Sequence, residues 1–351
     1  MKGLRNVLYE TRRLFLVRKT WVYMLVITFV PILFSANLFG IGGNYYGTMT
    51  SVLVLGPAKG AVFVAVCASL FLTLLEMQRM TKYRMNIIIE TMTNPIQNQL
   101  RQTVAILIVT ATSVLLSLCI LIPYTMHTMG STFRLVPFLA CWIFIYFGGA
   151  LIAILFSSGL FMITRSFDAS FIIMGVLIGI SFFAPFGSNY LLLWVQTNVL
   201  QFSDATQSYL KIDVISYTRL VWLLASLGIY MLGLSCIRRY GRNLIWSFLL
   251  SCRKVVSPIL FAVFVVGTVI TVKYEPYFDN GPVIKYSKKI DPDTGIVIYE
   301  TDDASFSVDD SWNDVVTVQS EHAKMSVDTE KRVLKGEATY NISNPSGEEQ
   351  D

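Results

Sequence analysis

The feature that most limits how this chain folds is a series of apolar stretches containing no Asp, Glu, Lys or Arg. They run Thr20–Gly40, Gly60–Leu75, Thr103–Ile122, Leu135–Thr164, Ala169–Phe186, Leu220–Ile237 and Val255–Val272. About 20 apolar residues carry a helix across roughly 30 Å of hydrocarbon. Backbone groups at that depth must be satisfied inside the segment, which makes each stretch a helix. The second stretch is short and is expected to begin before Lys59; the fourth is long enough to tilt or to run past the bilayer. Composition agrees. Hydrophobic residues make up 54% of the 351 and charged residues 15%, against about 25% charged in soluble domains. An ordinary cytosolic enzyme is excluded.

The charges order the topology. Residues 1–272 hold 20 Lys/Arg against 6 Asp/Glu, and residues 273–351 hold 8 against 17. With the N-terminus in the cytoplasm, 16 basic residues fall inside, and four (Lys59, Arg134, Lys211 and Arg219) fall outside. Lys and Arg concentrate on the cytoplasmic side of membrane proteins, so the expectation is N-terminus in and acidic C-terminus out, in a plasma membrane. Trp21, Trp142, Trp222 and Trp246 lie near span ends and read as interfacial indoles. The basic residues flank apolar runs rather than lining one soluble face, so no nucleic-acid partner is expected. Two histidines, and five cysteines without a CxxC pair, leave little for a metal site, and no cofactor or metal is expected. The first apolar run is long and has no small-residue cleavage site, so it reads as a retained helix.

Three segments between spans carry more. Residues 3–18 place Leu4, Val7, Leu8, Thr11, Leu14 and Phe15 at helical spacing, with Arg5, Arg12 and Arg13 largely opposite. Such a basic amphipathic helix, residues 1–19, is expected in the membrane interface. Glu76–Thr103 is the longest inner connection. Met77, Met80, Tyr83 and Ile87 have helical spacing beside Arg79, Lys82 and Arg84, and Asn94-Pro95 breaks the helix. Taken alone it reads equally as a docking surface or as a solvated connector. Gly187–Tyr217 contains Tyr190-Leu-Leu-Leu-Trp194, too apolar for a free loop, and is expected as short helices dipping into the membrane.

This layout resembles the permease subunits of type-2 ABC transporters over residues 1–250. Those have an interfacial N-terminal helix, six spans, a coupling helix between spans two and three that docks on the ATPase, and short external re-entrant helices before span six. Glu76, Arg79, Glu90 and Pro95 stand in the order that family's coupling loop uses. The resemblance implies an all-α polytopic bundle. It implies ATPase docking through Glu76, Arg79, Lys82, Arg84, Glu90 and Pro95, and a dimer with a second permease subunit. A P-loop is absent, so ATP hydrolysis is expected on a separate cytoplasmic subunit and not on this chain.

Residues 251–273, a seventh span, depart from that pattern and export the tail. In residues 274–351 period-two alternation and a charged turn at Asp328–Arg332 predict a β-hairpin, with a strand at Ile296–Tyr299 after the Asp291–Gly295 turn. His322–Pro345 resembles the opening hairpin of the N-terminal β-domain in aminopeptidase-N-like zinc peptidases, with Leu334, Gly336 and Asn344 in matching places. The H-E-x-x-H helix is missing, so no metal site or peptidase activity carries over. That resemblance implies that the chain is the front of a longer permease–peptidase fusion, or a degenerate remnant of one. On its own the tail is expected to be marginally folded.

Among single residues, His127 reads as interfacial and Asp168 as a local partner of Arg165. Glu76 reads as a docking residue before a gate residue. Gly148-Gly149, Ser157, Ser158 and Gly159 form a small-residue face for close packing, or else line a substrate path. The competing function is a membrane anchor for an external peptidase-like or binding module without transport.

Overall fold

The computed structural model describes residues 2–36, 54, 56–82, 94–130, 133–181, 190–195, 209–237, 245–249, 256–273, 286–290, 297–301, 317–328 and 333–343. It comprises two units, Met1–Phe278 and Asp279–Asp351.

The first unit is helical: α1 Lys2–Phe15, α2 Arg18–Ser35, α3 Gly56–Lys82, α4 Pro95–Met129, α5 Leu135–Ala140, a π-helical stretch Cys141–Phe147, α6 Gly148–Thr164, α7 Phe167–Ile180, α8 Tyr209–Ser235 and α9 Val256–Lys273. Five helical segments are long and apolar enough to cross a membrane: Arg18–Ser35, Gly56–Arg79, Pro95–Met129, Phe138–Thr164 and Ile215–Ser235. The chain is a multi-pass membrane protein. The fifth and seventh expected spans appear as the shorter apolar helices Phe167–Ile180 and Pro258–Lys273.

Helix boundaries differ from the charge-free runs, because a helix continues past the hydrocarbon wherever its backbone stays paired. At 35 residues, α4 is about 52 Å long at 1.5 Å per residue. Asn94-Pro95 starts this helix. Pro95 occupies the first turn, where its missing N–H costs nothing, and the Asn94 side chain accepts from Ile96 N at 3.2 Å. Likewise α3 runs unbroken through Glu76 to Lys82. Residues 83–93, with Arg84 and Glu90, lie outside the described residues.

The main core joins α2, α3, α4, the π-stretch and α6, with Ile27, Val62, Val66, Ile106, Trp142, Ile145 and Ile154 buried. A smaller cluster (Leu155, Met162, Tyr230, Leu234, Ile237) fills the space between α6 and α8. Trp142 is buried in the π-stretch, edge-on to Tyr146 at 5.5 Å, and Trp222 packs on Trp194 at 5.6 Å. Trp142 is a core residue rather than an interfacial anchor, and Trp222 is half-buried beside Trp194. Trp21 and Trp246 are exposed.

One buried polar contact follows from a proline. Pro31 lies inside α2 and cannot donate to the carbonyl four residues back, that of Ile27. Tyr146 reaches across from the π-stretch and donates its hydroxyl to Ile27 O at 2.7 Å. Tyr146→Phe is expected to leave that carbonyl unsatisfied at a cost of about 1–3 kcal/mol. In a Pro31→Ala background the alanine N–H takes over, and Tyr146→Phe becomes nearly neutral. Thermal unfolding of the two single variants and the double variant in detergent checks this; equal losses in both backgrounds contradict it.

In the second unit, two antiparallel pairs are present among the described residues. Tyr286–Ile290 (β1) pairs with Val297–Thr301 (β2), Lys288 facing Tyr299. Thr317–Asp328 (β3) pairs with Val333–Ser343 (β4), Met325 facing Gly336 and Asp328 facing Val333, with a register shift between Val318 and Ser320. Asp291–Gly295, residues 329–332 and Asn344 lie outside the described residues.

Candidate functional site

Two of the residues singled out for docking, Glu76 and Arg79, come together where α1 meets the last turns of α3 and the first turns of α4. Along α1, Thr11 and Leu14 are buried and Val7 and Phe15 half-buried, packed against α2 and α4. Much of the apolar stripe expected to face lipid thus faces protein. Leu8, Tyr9 and Leu16 remain exposed, alongside Arg5, Arg12 and Arg18.

Glu76 is the hub. Its side chain is 0% exposed, and it takes Arg13 Nη2 on Oε2 at 2.7 Å and Lys19 Nζ on Oε1 at 2.6 Å. Arg79, one turn further along α3, places Nε 3.6 Å from Glu76 Oε2 and Nη2 3.4 Å from Glu10 Oε1. Glu10 also receives Arg13 Nε at 2.9 Å. Gln102 of α4 closes the cluster by donating to the Glu76 main-chain oxygen at 2.7 Å. With its amide oxygen turned toward α4, Asn6 accepts from Arg101 Nη1 at 3.2 Å. Three cations thus share two carboxylates, one wholly buried. Burial of the Arg13 guanidinium works against its charge, and contact with Glu10 and Glu76 outweighs this, raising its pKa above the ordinary value.

This geometry changes the reading of Glu76. A carboxylate with no exposed surface cannot touch a docked protein; it fastens α1 to α3. Arg79 is held in the same cluster, whereas Lys82 is exposed at the end of α3. Pro95 is half-buried at the start of α4. Of the six residues, the structure brings Glu76 and Arg79 into one cluster. It leaves Lys82 exposed at the end of α3 and makes Pro95 a helix start. Glu10, Arg13, Lys19 and Gln102, which complete the cluster, carry no motif; the one signal in the sequence was that Glu10 and Glu76 are two of only six acidic residues before residue 273.

Elsewhere, the small-residue face resolves into close packing. A Cβ on Gly159 would lie 2.7 Å from Ile229 O, and one on Gly233 would lie 2.7 Å from Gly159 O. Gly149 packs against Val62. Asp168 is exposed in the first turn of α7, where its charge suits the helix N-terminus. His127 is exposed in the last turn of α4. Among the described residues no group of three His, Cys, Asp or Glu side chains comes together. No known family model, characterised protein or solved structure matches this chain.

Proposed function

We propose that this chain is the membrane-spanning permease subunit of an ABC transporter, paired with a second permease subunit and driven by a separate cytoplasmic ATPase. The observation that carries the reading is the buried Glu76 cluster. It binds α1, α3 and α4 to one another at the last turns of α3 and the first turns of α4, so a push delivered there moves three helices as one body. A passive anchor has no use for such a linkage. On this reading the α1 end faces the cytoplasm, and the ATPase contacts Lys82, Arg84, Glu90 and their neighbours. Residues 279–351 then lie outside the cell as a small β-rich tail. That Asp279–Asp351 forms a compact unit of its own favours a second reading, in which the spans tether an external module.

Lys82 is the clean probe, because Arg79 is engaged inside the bundle. Lys82→Glu combined with Arg84→Glu is expected to lower ATPase co-purification at least several-fold without changing membrane insertion. A rim charge contributes on the order of 1 kcal/mol to an interface. Unchanged co-purification, or the absence of any ATPase partner for the unaltered chain, removes the transporter reading.

A further inference from the structure

Residues 1–35 contain six Lys/Arg and one acid, Glu10. The structure divides these cations by where they point. Arg13 and Lys19 turn inward to Glu76, and Arg13 also to Glu10. Arg5, Arg12 and Arg18 are exposed and take no part in that cluster.

The exposed positions keep helical spacing on both helices. On α1 they include Arg5, Leu8, Tyr9 and Arg12, and on α2 Arg18, Trp21, Val22 and Leu25, each set at i, i+3, i+4 and i+7. Because α2 is long and apolar enough to span a membrane, its exposed apolar face is open to lipid. Along that face a guanidinium is followed by an indole and then by aliphatic side chains. Passing inward from phosphate to hydrocarbon, a bilayer has the same order, with indoles at the boundary. This sets Arg18 at the level of the lipid headgroups.

Across the turn, α1 repeats the pairing of cation and apolar ring. Its stripe is taken up by protein at Thr11 and Leu14, so the face left outward is the one that carries Arg5 and Arg12. Water alone suits that face poorly, because Leu8, Tyr9 and Leu16 are each more than half exposed within nine positions. The membrane interface suits it well: the rings and arginine stems bury there while the guanidinium groups reach the phosphates.

We propose that Arg5, Arg12 and Arg18 bind the headgroups of anionic phospholipids and hold α1 to the membrane by its basic face. A guanidinium takes two phosphate oxygens at once. Glu10 and Glu76 are turned into the bundle by their pairs with Arg13, Lys19 and Arg79, which leaves the outward field positive. A zwitterionic lipid offers the same phosphate beside its own cation, so the net charge of the lipid decides the preference. The assignment requires only a membrane-spanning chain and is independent of the transporter reading.

Native mass spectrometry of the full chain in detergent tests it, with phosphatidylglycerol titrated against phosphatidylcholine of the same acyl chains. One cation near an anionic surface contributes about five-fold in affinity, so the first phosphatidylglycerol is expected to bind at least roughly ten-fold more tightly than phosphatidylcholine. Arg5→Gln, Arg12→Gln and Arg18→Gln together are expected to bring the two lipids within about two-fold of each other. The three corresponding Lys replacements are expected to keep most of the preference. Equal binding of both lipids by the unaltered chain overturns the proposal. So does an undiminished preference in the triple Gln variant, or a triple Lys variant that loses as much. Should the triple Gln variant fail to fold, Arg12→Gln decides alone: a selective loss of phosphatidylglycerol affinity of about five-fold supports the site, and no loss overturns it. Reduced ATPase co-purification in the triple Gln variant, with its lipid preference intact, makes this face a protein-docking surface instead and also overturns the proposal.

Discussion

Replacing Glu76 by glutamine is expected to loosen α1 from the bundle and to give one of the two largest stability losses of any single substitution considered. The change removes one charge and leaves Arg13 and Lys19 without their shared counter-ion. Breaking a buried ion pair from one side costs about 3–5 kcal/mol. Arg13 and Lys19 are 22% and 35% exposed, so water recovers part of that cost and the loss falls toward about 3 kcal/mol. The checks are the unfolding temperature in detergent and amide exchange in α1, which should rise while α6 stays protected. Arg13→Gln added to Glu76→Gln should cost less than the sum of the two, since both remove the same contact. Full protection of α1 in Glu76→Gln would refute the cluster's role as the fastening between α1 and α3.

The second large effect lies where α6 crosses α8. A methyl group on Gly159 meets main-chain atoms at close range: Ile229 O at 2.7 Å, and Ile229 C and Tyr230 N at 2.9 Å. Backbone cannot swing aside as a side chain can, so Gly159→Ala must push the helices apart. Overpacking typically costs about 1–3 kcal/mol, and here the cost falls on the whole contact, because Gly233 packs against Gly159 in return. Gly159→Leu is expected to prevent folding. Gly175 is the internal control, with nothing among the described residues within 4 Å of its would-be Cβ. Gly175→Ala is expected to be neutral or to stabilise by up to about 1 kcal/mol through helix propensity. Thermal unfolding of Gly159→Ala and Gly175→Ala decides it; equal behaviour would contradict the close crossing.

How far the site was legible follows from the kind of signal each residue leaves. Glu76 and Arg79 stood out as charges at the end of an apolar run, and that pattern placed them correctly along the chain. Their partners did not stand out. Glu10 is 66 positions from Glu76 in sequence, and no periodicity links residues whose only relation is contact. Pro95 was visible as punctuation, but proline marks a helix start and a helix break with the same letter, and only backbone geometry separates the two. Trp142 reads as interfacial because indoles near span ends usually sit there. Packing against Tyr146 buries it instead.

The sequence by itself determined the class of structure, a multi-pass helical bundle, because hydrocarbon admits few alternatives for long charge-free stretches. The tertiary structure decided which polar groups are partners: Tyr146 for the carbonyl orphaned by Pro31, Arg13 and Lys19 for Glu76, and the main chain at Ile145 and Trp194 for the buried Arg219. The physical reason is range. Apolar burial is non-directional and is recorded residue by residue along the chain, whereas a buried charge or hydroxyl is satisfied only within about 3 Å, by whatever the fold brings beside it.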